Sequence, residues 1–178
     1  QQKTIVSIDP QAQAALDAAR AHLRAGRTAE AERGFGDVIA KHPELGGAHA
    51  NLGLILRNAG KLDESIAALQ QAVKVSPKQP VFHNQLGVSY RHKGEFQKAR
   101  NAYEQAIALD DNYADAHLNL GVLLDLYVGD GALALVHYER YLMLSPTGDA
   151  AVGKWVADLR NRKPASVAQA GVKLSKKE

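Results

Sequence analysis

The chain has 178 residues, no cysteine and a formal charge of +3 at neutral pH. This length suits one domain with a sizeable core, and the lack of cysteine excludes disulfides, a thiolate nucleophile and cysteine-bound zinc. No apolar run approaches the roughly 18 residues of a membrane-spanning helix, and four lysines and one glutamate in residues 163–178 account for the whole net charge.

The first predicted helix spans residues 10–24. The pair Asp9-Pro10 starts it, because Asp can accept hydrogen bonds from the free amides and Pro suits the first helical position. Small apolar residues then recur at helical spacing. After a glycine-containing break, Thr28 is predicted to cap a second helix that ends near Lys41. These two helices form a first pair.

Three further pairs follow in the same order. Helices are predicted over residues 46–58, 62–75, 81–92 and 96–109. The fourth pair begins at Ala114 and keeps the same register to Gly121. It then carries one extra residue within 125–131, before a helix that ends at Leu144.

A ninth helix is predicted over residues 147–162, with Val152, Trp155, Val156 and Leu159 on one stripe. A stack of helix pairs needs a cap with a polar outer face at its end. We therefore expect this helix to close the core, with Trp155 as a buried plug rather than a ligand-binding residue.

The two ends of the chain show no sustained periodicity. Residues 1–9 are predicted to be a flexible lead and residues 163–178 a disordered basic tail. The chain begins with Gln1, which we interpret as a processed or shortened form. The tail lysines allow weak contact with an anionic membrane surface or serve solubility. Because no aromatic residues interleave with them, we expect no nucleic-acid binding.

A seven-residue pattern returns at intervals of 34 residues. It reads AHANLGL at 48–54, FHNQLGV at 82–88 and AHLNLGV at 116–122. A fixed period of this length, with two helical halves, indicates a tandem helical repeat. A single helix pair cannot bury its own apolar face, so the copies are expected to stack.

Counted from residues 12, 46, 80 and 114, these units resemble the tetratricopeptide repeat (TPR) family. The family's Leu-Gly pair falls on Leu52-Gly53, Leu86-Gly87 and Leu120-Gly121, and is reduced to Ala18-Ala19 in the first unit. Its turn glycine falls on Gly26, Gly60, Gly94 and Gly129, and its following small and bulky positions on Ala31, Ser65, Ala99, Ala134 and on Phe35, Leu69, Tyr103, Tyr138. Tyr141 departs from the pattern, standing where the family prefers a small residue, so the last hairpin is expected to pack unusually against the terminal helix.

The resemblance implies an all-α, right-handed superhelical solenoid over residues 10–162. It would consist of four hairpins at about 12–45, 46–79, 80–113 and 114–147 and a capping helix at 148–162. In this family the first helix of each unit lines a concave groove. The groove residues implied here are Arg20, Arg24, Asn51, Leu54, Arg57, Asn58, Asn84, Gln85, Val88, Arg91, His92, Asn119, Val122 and Asp125.

These side chains predict the chemistry of a partner. Asn and Gln can bond both the donor and the acceptor of a peptide backbone, and Arg pairs with carboxylates. We therefore predict a non-enzymatic scaffold or adaptor that holds a peptide or helix of acidic character. Asn51 and Asn119 are expected to act in binding without an internal partner. The charge along the groove changes from basic in the first three units to acidic at Asp125.

Some TPR proteins clamp a C-terminal carboxylate with Lys and Asn at fixed groove positions. Leu16 and Val81 occupy the corresponding Lys positions here, so that function is not carried over. His49, His83 and His117 recur at one repeat position, but neighbouring helices lie about 8–10 Å apart, too far to share one zinc ion. They are expected to pack between helices.

No nucleophile and base, carboxylate pair or phosphate loop stands out, so neither an enzyme nor a cofactor is predicted. One alternative is an envelope assembly factor like the bacterial TPR proteins that help build pili, secretion or polysaccharide export machinery. That alternative would place the chain in the periplasm or cell envelope, and otherwise it would be cytoplasmic. A metal-dependent enzyme is the remote alternative. The oligomeric state is left open.

Overall fold

In the computed structural model, the structure describes residues 9–162. The predicted flexible lead (apart from Asp9) and the predicted basic tail lie outside these residues. The helices are α1 Pro10–Arg24, α2 Thr28–Lys41, α3 Gly46–Asn58, α4 Leu62–Val75, α5 Pro80–Lys93, α6 Phe96–Leu109, α7 Ala114–Leu123, α8 Gly131–Leu144 and α9 Ala150–Asn161. Between α7 and α8 the chain continues as a π-helical segment, Leu124–Val128.

Each odd helix packs against the even helix that follows it, and successive hairpins stack. The first helices of neighbouring hairpins also touch, so α1, α3, α5 and α7 lie side by side as an inner layer. The last helix, α9, packs on α8. The expected all-α solenoid of four hairpins and a terminal helix is confirmed.

A glycine on the first helix sets the spacing of each hairpin. A Cβ atom added to Gly53, Gly87 or Gly121 would lie 2.6–2.7 Å from the side chain of Leu69, Tyr103 or Tyr138. These bulky side chains therefore fill the space that the glycines leave. The first hairpin reverses the arrangement, because Ala19 on α1 faces Gly34 on α2, with a distance of 2.9 Å from the added Cβ.

The extra residue of the fourth unit is accommodated in the π-helical segment. Glycine and bulky partner are separated by 16 residues in the second and third hairpins but by 17 between Gly121 and Tyr138. A π-helical turn holds one residue more than an α-helical turn. Both ends of the hairpin therefore keep their packing, while Leu126 and Tyr127 face solvent with 66% and 49% exposure.

Two predictions at the helix starts have different outcomes. The Asp9 side chain accepts a hydrogen bond from the Gln11 amide at 2.9 Å, as expected. The prediction for Thr28 is wrong: Arg27 occupies the cap position without a side-chain bond, and Thr28 is the first helical residue. Its hydroxyl is therefore one position too late to cap the free amides.

The terminal helix begins later than predicted, because Gly148 has a positive φ of 67°. Asp149 then caps α9 by accepting bonds from the Ala151 and Val152 amides. The Tyr141 hydroxyl also donates to Asp149, at 3.2 Å. The unusual residue on α8 thus fixes the start of α9.

The prediction that Trp155 is a buried plug is wrong. Val152, Val156 and Leu159 carry the buried face of α9, whereas Trp155 is 39% exposed. Its ring lies beside that of Tyr138, with centroids 5.5 Å apart. Within the described part of the chain, no helix is long and apolar enough to cross a membrane.

Candidate peptide-binding groove

The asparagines expected to line the groove already have partners inside the protein. Asn51 donates to the Gly47 carbonyl at 2.7 Å, and Asn119 donates to Oδ1 of Asn84 at 3.0 Å. Asn84 is only 2% exposed, so it does not line an open groove. The expectation that Asn51 and Asn119 need no internal partner is therefore wrong, and Asn84 is a structural residue.

Arg57 is held in place across two inner helices. Its guanidinium donates to the Gln85 side-chain oxygen at 2.8 Å and to the Gln85 carbonyl at 3.2 Å. Burial and the neighbouring charge of Arg91 lower its pKa, against an opposing effect of Tyr103. The charge is retained, because an arginine cannot be deprotonated in proteins. Gln85 thus orients a cation rather than facing a peptide freely.

Arg57 and Arg91 differ from the other basic residues of the described chain. Both are only partly exposed, and neither forms an ion pair within residues 9–162. Arg20, by contrast, pairs with Asp17 at 3.2 Å, and Arg24 is exposed. The two unpaired arginines lie at equivalent positions of α3 and α5, so their charges add at the middle of the inner layer.

The positive charges of Arg57 and Arg91 also affect the pKa of His92, which follows Arg91 in the chain. Its pKa is lowered by burial first, and then by Arg91 and Arg57. The imidazole is therefore neutral at pH 7, since its ordinary pKa is already about 6.5. The remaining groove positions are apolar or small polar groups: Leu54 and Val88 are partly buried, and Asn58 is exposed.

The predicted acidic end of the groove is neutralised. The Asp125 side chain is 7% exposed and pairs with Arg162 at 2.9 Å. Both line a cleft of about 240 Å³ together with Val122, Leu126, Tyr138 and Trp155. This end is therefore a largely apolar cleft in which the charge of Asp125 is paired with Arg162. The prediction of an acidic surface at Asp125 is wrong.

A second cavity, of about 540 Å³, lies at the other end. Its walls come from Leu16 and Arg20 on α1 and from Phe82 on α5, with Gly46 and Gly47 between them. A Cβ on Gly47 would lie 2.9 Å from the Arg20 guanidinium. Of the predicted groove residues, Arg20 lines this cavity, whereas its other walls were not part of the groove prediction.

Two repeat models match the chain. A tetratricopeptide repeat model covers residues 16–80, and a TPR repeat model covers residues 87–125. The chain belongs to the tetratricopeptide repeat family. Comparison with curated proteins gives no match.

Several solved structures share the fold of this chain. The thermophilic TPR protein TTC0263 of Thermus thermophilus is 26% identical, with a TM-score of 0.70 over 84% of this chain and 81% of that one. PilF of Pseudomonas aeruginosa is 19% identical, with a TM-score of 0.76 over 83% and 67%. The first TPR of Spaghetti (RPAP3), bound to the HSP90 peptide SRMEEVD, is 22% identical, with a TM-score of 0.61 over 65% and 90%.

The recurring histidines of the TPR units bind the loops that join the hairpins. Nε2 of His49 and of His83 each lies 2.8 Å from the carbonyl oxygen of the proline six residues earlier. Nε2 of His117 lies 3.0 Å from the Asp111 carbonyl. A carbonyl only accepts, so Nε2 carries the proton in all three. No group of three potential metal ligands occurs in residues 9–162.

One of these histidines has a second partner. Nδ1 of His117 lies 3.1 Å from Nδ1 of His137 on α8. Since the proton of neutral His117 is on Nε2, its Nδ1 accepts and His137 Nδ1 donates. Burial, and then His117, lower the pKa of His137. Through His117, this pair connects α8 of the fourth TPR hairpin to the loop that precedes α7.

Proposed function

We propose that this TPR chain is a non-enzymatic scaffold that holds an extended segment or helix of a partner protein against its inner layer. The observation that carries the proposal is the pair of partly exposed arginines, Arg57 and Arg91, without a carboxylate partner in the described chain. Two unneutralised cations side by side favour an anionic ligand. The partner segment is therefore acidic.

The RPAP3 complex supports the chemistry of this proposal. Its TPR fold holds a peptide whose sequence, SRMEEVD, contains acidic residues. This chain would use other side chains, since Leu16 and Val81 replace the family's clamp lysines. The two cavities at the ends of the inner layer would receive apolar side chains of the same segment.

The experiment is a selection of random displayed peptides on the full chain. Selected peptides are expected to be acidic and to bind less tightly as salt increases. The double variant Arg57→Ala, Arg91→Ala should lower their affinity by about tenfold or more, because each arginine contributes a charge-assisted hydrogen bond.

The matched control removes the same charge elsewhere. Lys61→Ala, Lys74→Ala changes two exposed lysines that form no ion pair in the described chain, and it should leave affinity unchanged. An equal loss of peptide affinity in both double variants would mean that only the net charge of the protein matters for binding. Equal binding to wild type and the arginine variant would move the site away from the inner layer.

A further inference from the structure

Two histidines of the fourth hairpin, His117 on α7 and His137 on α8, meet through their Nδ1 atoms. These nitrogens lie 3.1 Å apart, while the ring centroids are 5.3 Å apart, so the rings meet edge to edge and are not stacked. Two nitrogens bound to one transition-metal ion at about 2.0–2.1 Å, in square-planar or tetrahedral geometry, lie about 2.8–3.4 Å apart. The separation in the structure is therefore already that of two ligands of one ion.

The second nitrogen of His117 is also placed as it is in metal sites. Its Nε2 donates to the Asp111 carbonyl at 3.0 Å. Metal-binding histidines usually donate their other ring nitrogen to a carbonyl or a carboxylate, which fixes the tautomer and the ring orientation. His117 is only 4% exposed. Its ring is thus held in the stack, with the Nδ1 lone pair directed at His137.

His137 is the movable member of the pair. Its side chain is partly exposed, and within residues 9–162 its hydrogen bond is the one to His117. An ion bound by both nitrogens lies beside the line that joins them, so a small turn of the His137 ring directs its Nδ1 toward the ion. The proton of His137 moves from Nδ1 to Nε2 by exchange with water, and the ring stays neutral.

The charges around the histidine pair are balanced. Arg100 pairs with Glu104 at 2.8 Å, and these two residues act on the pKa of His137 in opposite directions. Arg140 pairs with Asp111 at 2.7 Å. Each neighbouring guanidinium is thus neutralised by a carboxylate, so a divalent cation at the pair meets little net repulsion from these residues.

We infer that His117 and His137 form a site for one divalent ion of the late first-row transition series: Cu²⁺, Ni²⁺ or Zn²⁺. Imidazole nitrogens suit these ions, whereas Mg²⁺ and Ca²⁺ take oxygen ligands. Two metal–nitrogen bonds form as the hydrated ion loses two waters, and the Nδ1–H bond of His137 is exchanged for an Nε2–H bond. No group of three potential protein ligands occurs in residues 9–162, so water fills the remaining positions. The ion joins α7 to α8, independently of the peptide groove.

The test is a thermal melt of the untagged full chain, first freed of metal with a chelator and then titrated with Ni²⁺. The ion binds the folded pair, whereas unfolding separates the two rings. At about a hundredfold excess over its dissociation constant, Ni²⁺ should therefore raise the thermal midpoint by about 5–10 °C. Mg²⁺ at the same concentration should leave the midpoint unchanged.

A second measurement follows the tautomer of His137 in the chain labelled with ¹⁵N-histidine. Without metal, its Nδ1 carries the proton. Diamagnetic Zn²⁺ should shift the Nδ1 resonances of both His117 and His137 and move the His137 proton to Nε2.

Variants locate the ion, each compared with its own metal-free midpoint. His137→Asn removes one ligand but keeps a donor for His117, so it should fold and lose the Ni²⁺ shift. His83→Asn is the matched control, because His83 holds the same repeat position as His117 and bonds a loop carbonyl but no second histidine in the described chain. His42→Gln is a further control, since Nδ1 of His42 lies 3.5 Å from Glu44. Both controls should keep the shift.

Four results would overturn the inference. They are an equal Ni²⁺ shift in wild type and His137→Asn, loss of the shift in His42→Gln, an equal effect of Mg²⁺, and a His137 ring that keeps its Nδ1 proton when Zn²⁺ is saturating. If His137→Asn does not fold, the ¹⁵N measurement on the wild-type chain decides. Peptide binding in the groove is tested separately and does not depend on the outcome.

Discussion

At the scale of single residues, the inner layer contains polar groups whose first task is internal. Asn119 donates to the buried oxygen of Asn84, and this bond joins α7 to α5. The repeat positions of Asn84 and Asn119 predict that both side chains point toward a bound peptide, whereas in the structure they bond each other. Whether an amide faces solvent or a neighbouring amide depends on the rotation of both helices, which a single repeat position does not specify.

We therefore expect Asn119→Ala to destabilise the protein. The variant leaves Oδ1 of Asn84 buried without its donor, which costs about 1–3 kcal/mol. Urea unfolding measures the loss. Asn58→Ala is the control, since Asn58 is exposed at the end of α3. An unfolding free energy equal to that of wild type in Asn119→Ala would show that the pair does not stabilise the stack.

The histidine pair on α7 and α8 predicts a loss of stability in acid. The pKa of His137 is lowered in the folded protein, first by burial and then by His117. The unfolded chain thus binds more protons as the pH falls through about 6.5, so the unfolding free energy decreases there. Glu104 opposes the shift and Arg100 adds to it.

His137→Asn should reduce this dependence, because the amide can still donate to His117 but does not titrate. Thermal midpoints at about pH 7.5 and about pH 5.5 measure it. His92→Asn is the comparison, since His92 shifts in the same direction through a different set of charges. A variant with the same acid loss as wild type would exclude His137 as the source.

At the scale of the helix, α9 is attached by its first residue as well as by its apolar face. Asp149 accepts from two amides of α9 and from the Tyr141 hydroxyl on α8. Asp149→Ala should cost about 0.5–2 kcal/mol, and Tyr141→Phe about 0.5–1.5 kcal/mol. The double variant should cost less than the sum, because both changes remove one shared bond.

The single tryptophan provides the measurement for this prediction. Trp155 lies on α9 beside Tyr138, so its fluorescence reports release of α9 as well as global unfolding. Tyr127→Phe is the control, because Tyr127 is about half exposed and forms no hydrogen bond in the described chain. Additive losses in the double variant would mean that Tyr141 and Asp149 act separately.

At the scale of the whole molecule, the repeat itself could be predicted from the sequence. The signals for the repeat are local in the sequence: the 34-residue period, the turn glycines and the small residues that face bulky ones. The predicted bounds of helices such as 46–58 and 62–75 agree with the structure. These features depend on contacts within a hairpin, and a hairpin is encoded in one continuous stretch.

The candidate site was less predictable because it depends on contacts between units. The pairing of Asp125 with Arg162 joins residues 37 positions apart, and the bond from Asn119 to Asn84 joins residues 35 positions apart. Trp155 shows the same limit, since the rotation of α9 about its own axis decides which side of its apolar stripe is covered. Position within a repeat predicts the face of a helix but not its partners.

The π-helical segment has a consequence for how such a chain can change in length. In a stack where every hairpin packs on the one before it, one added residue would ordinarily displace all the hairpins and helices that follow. Here the insertion is absorbed within Leu124–Val128, and Gly121 still meets Tyr138. A single-residue insertion in the bend of a hairpin is thus a local event. One hairpin of such an array can therefore gain a residue, during evolution or by design, while its two helices keep their packing.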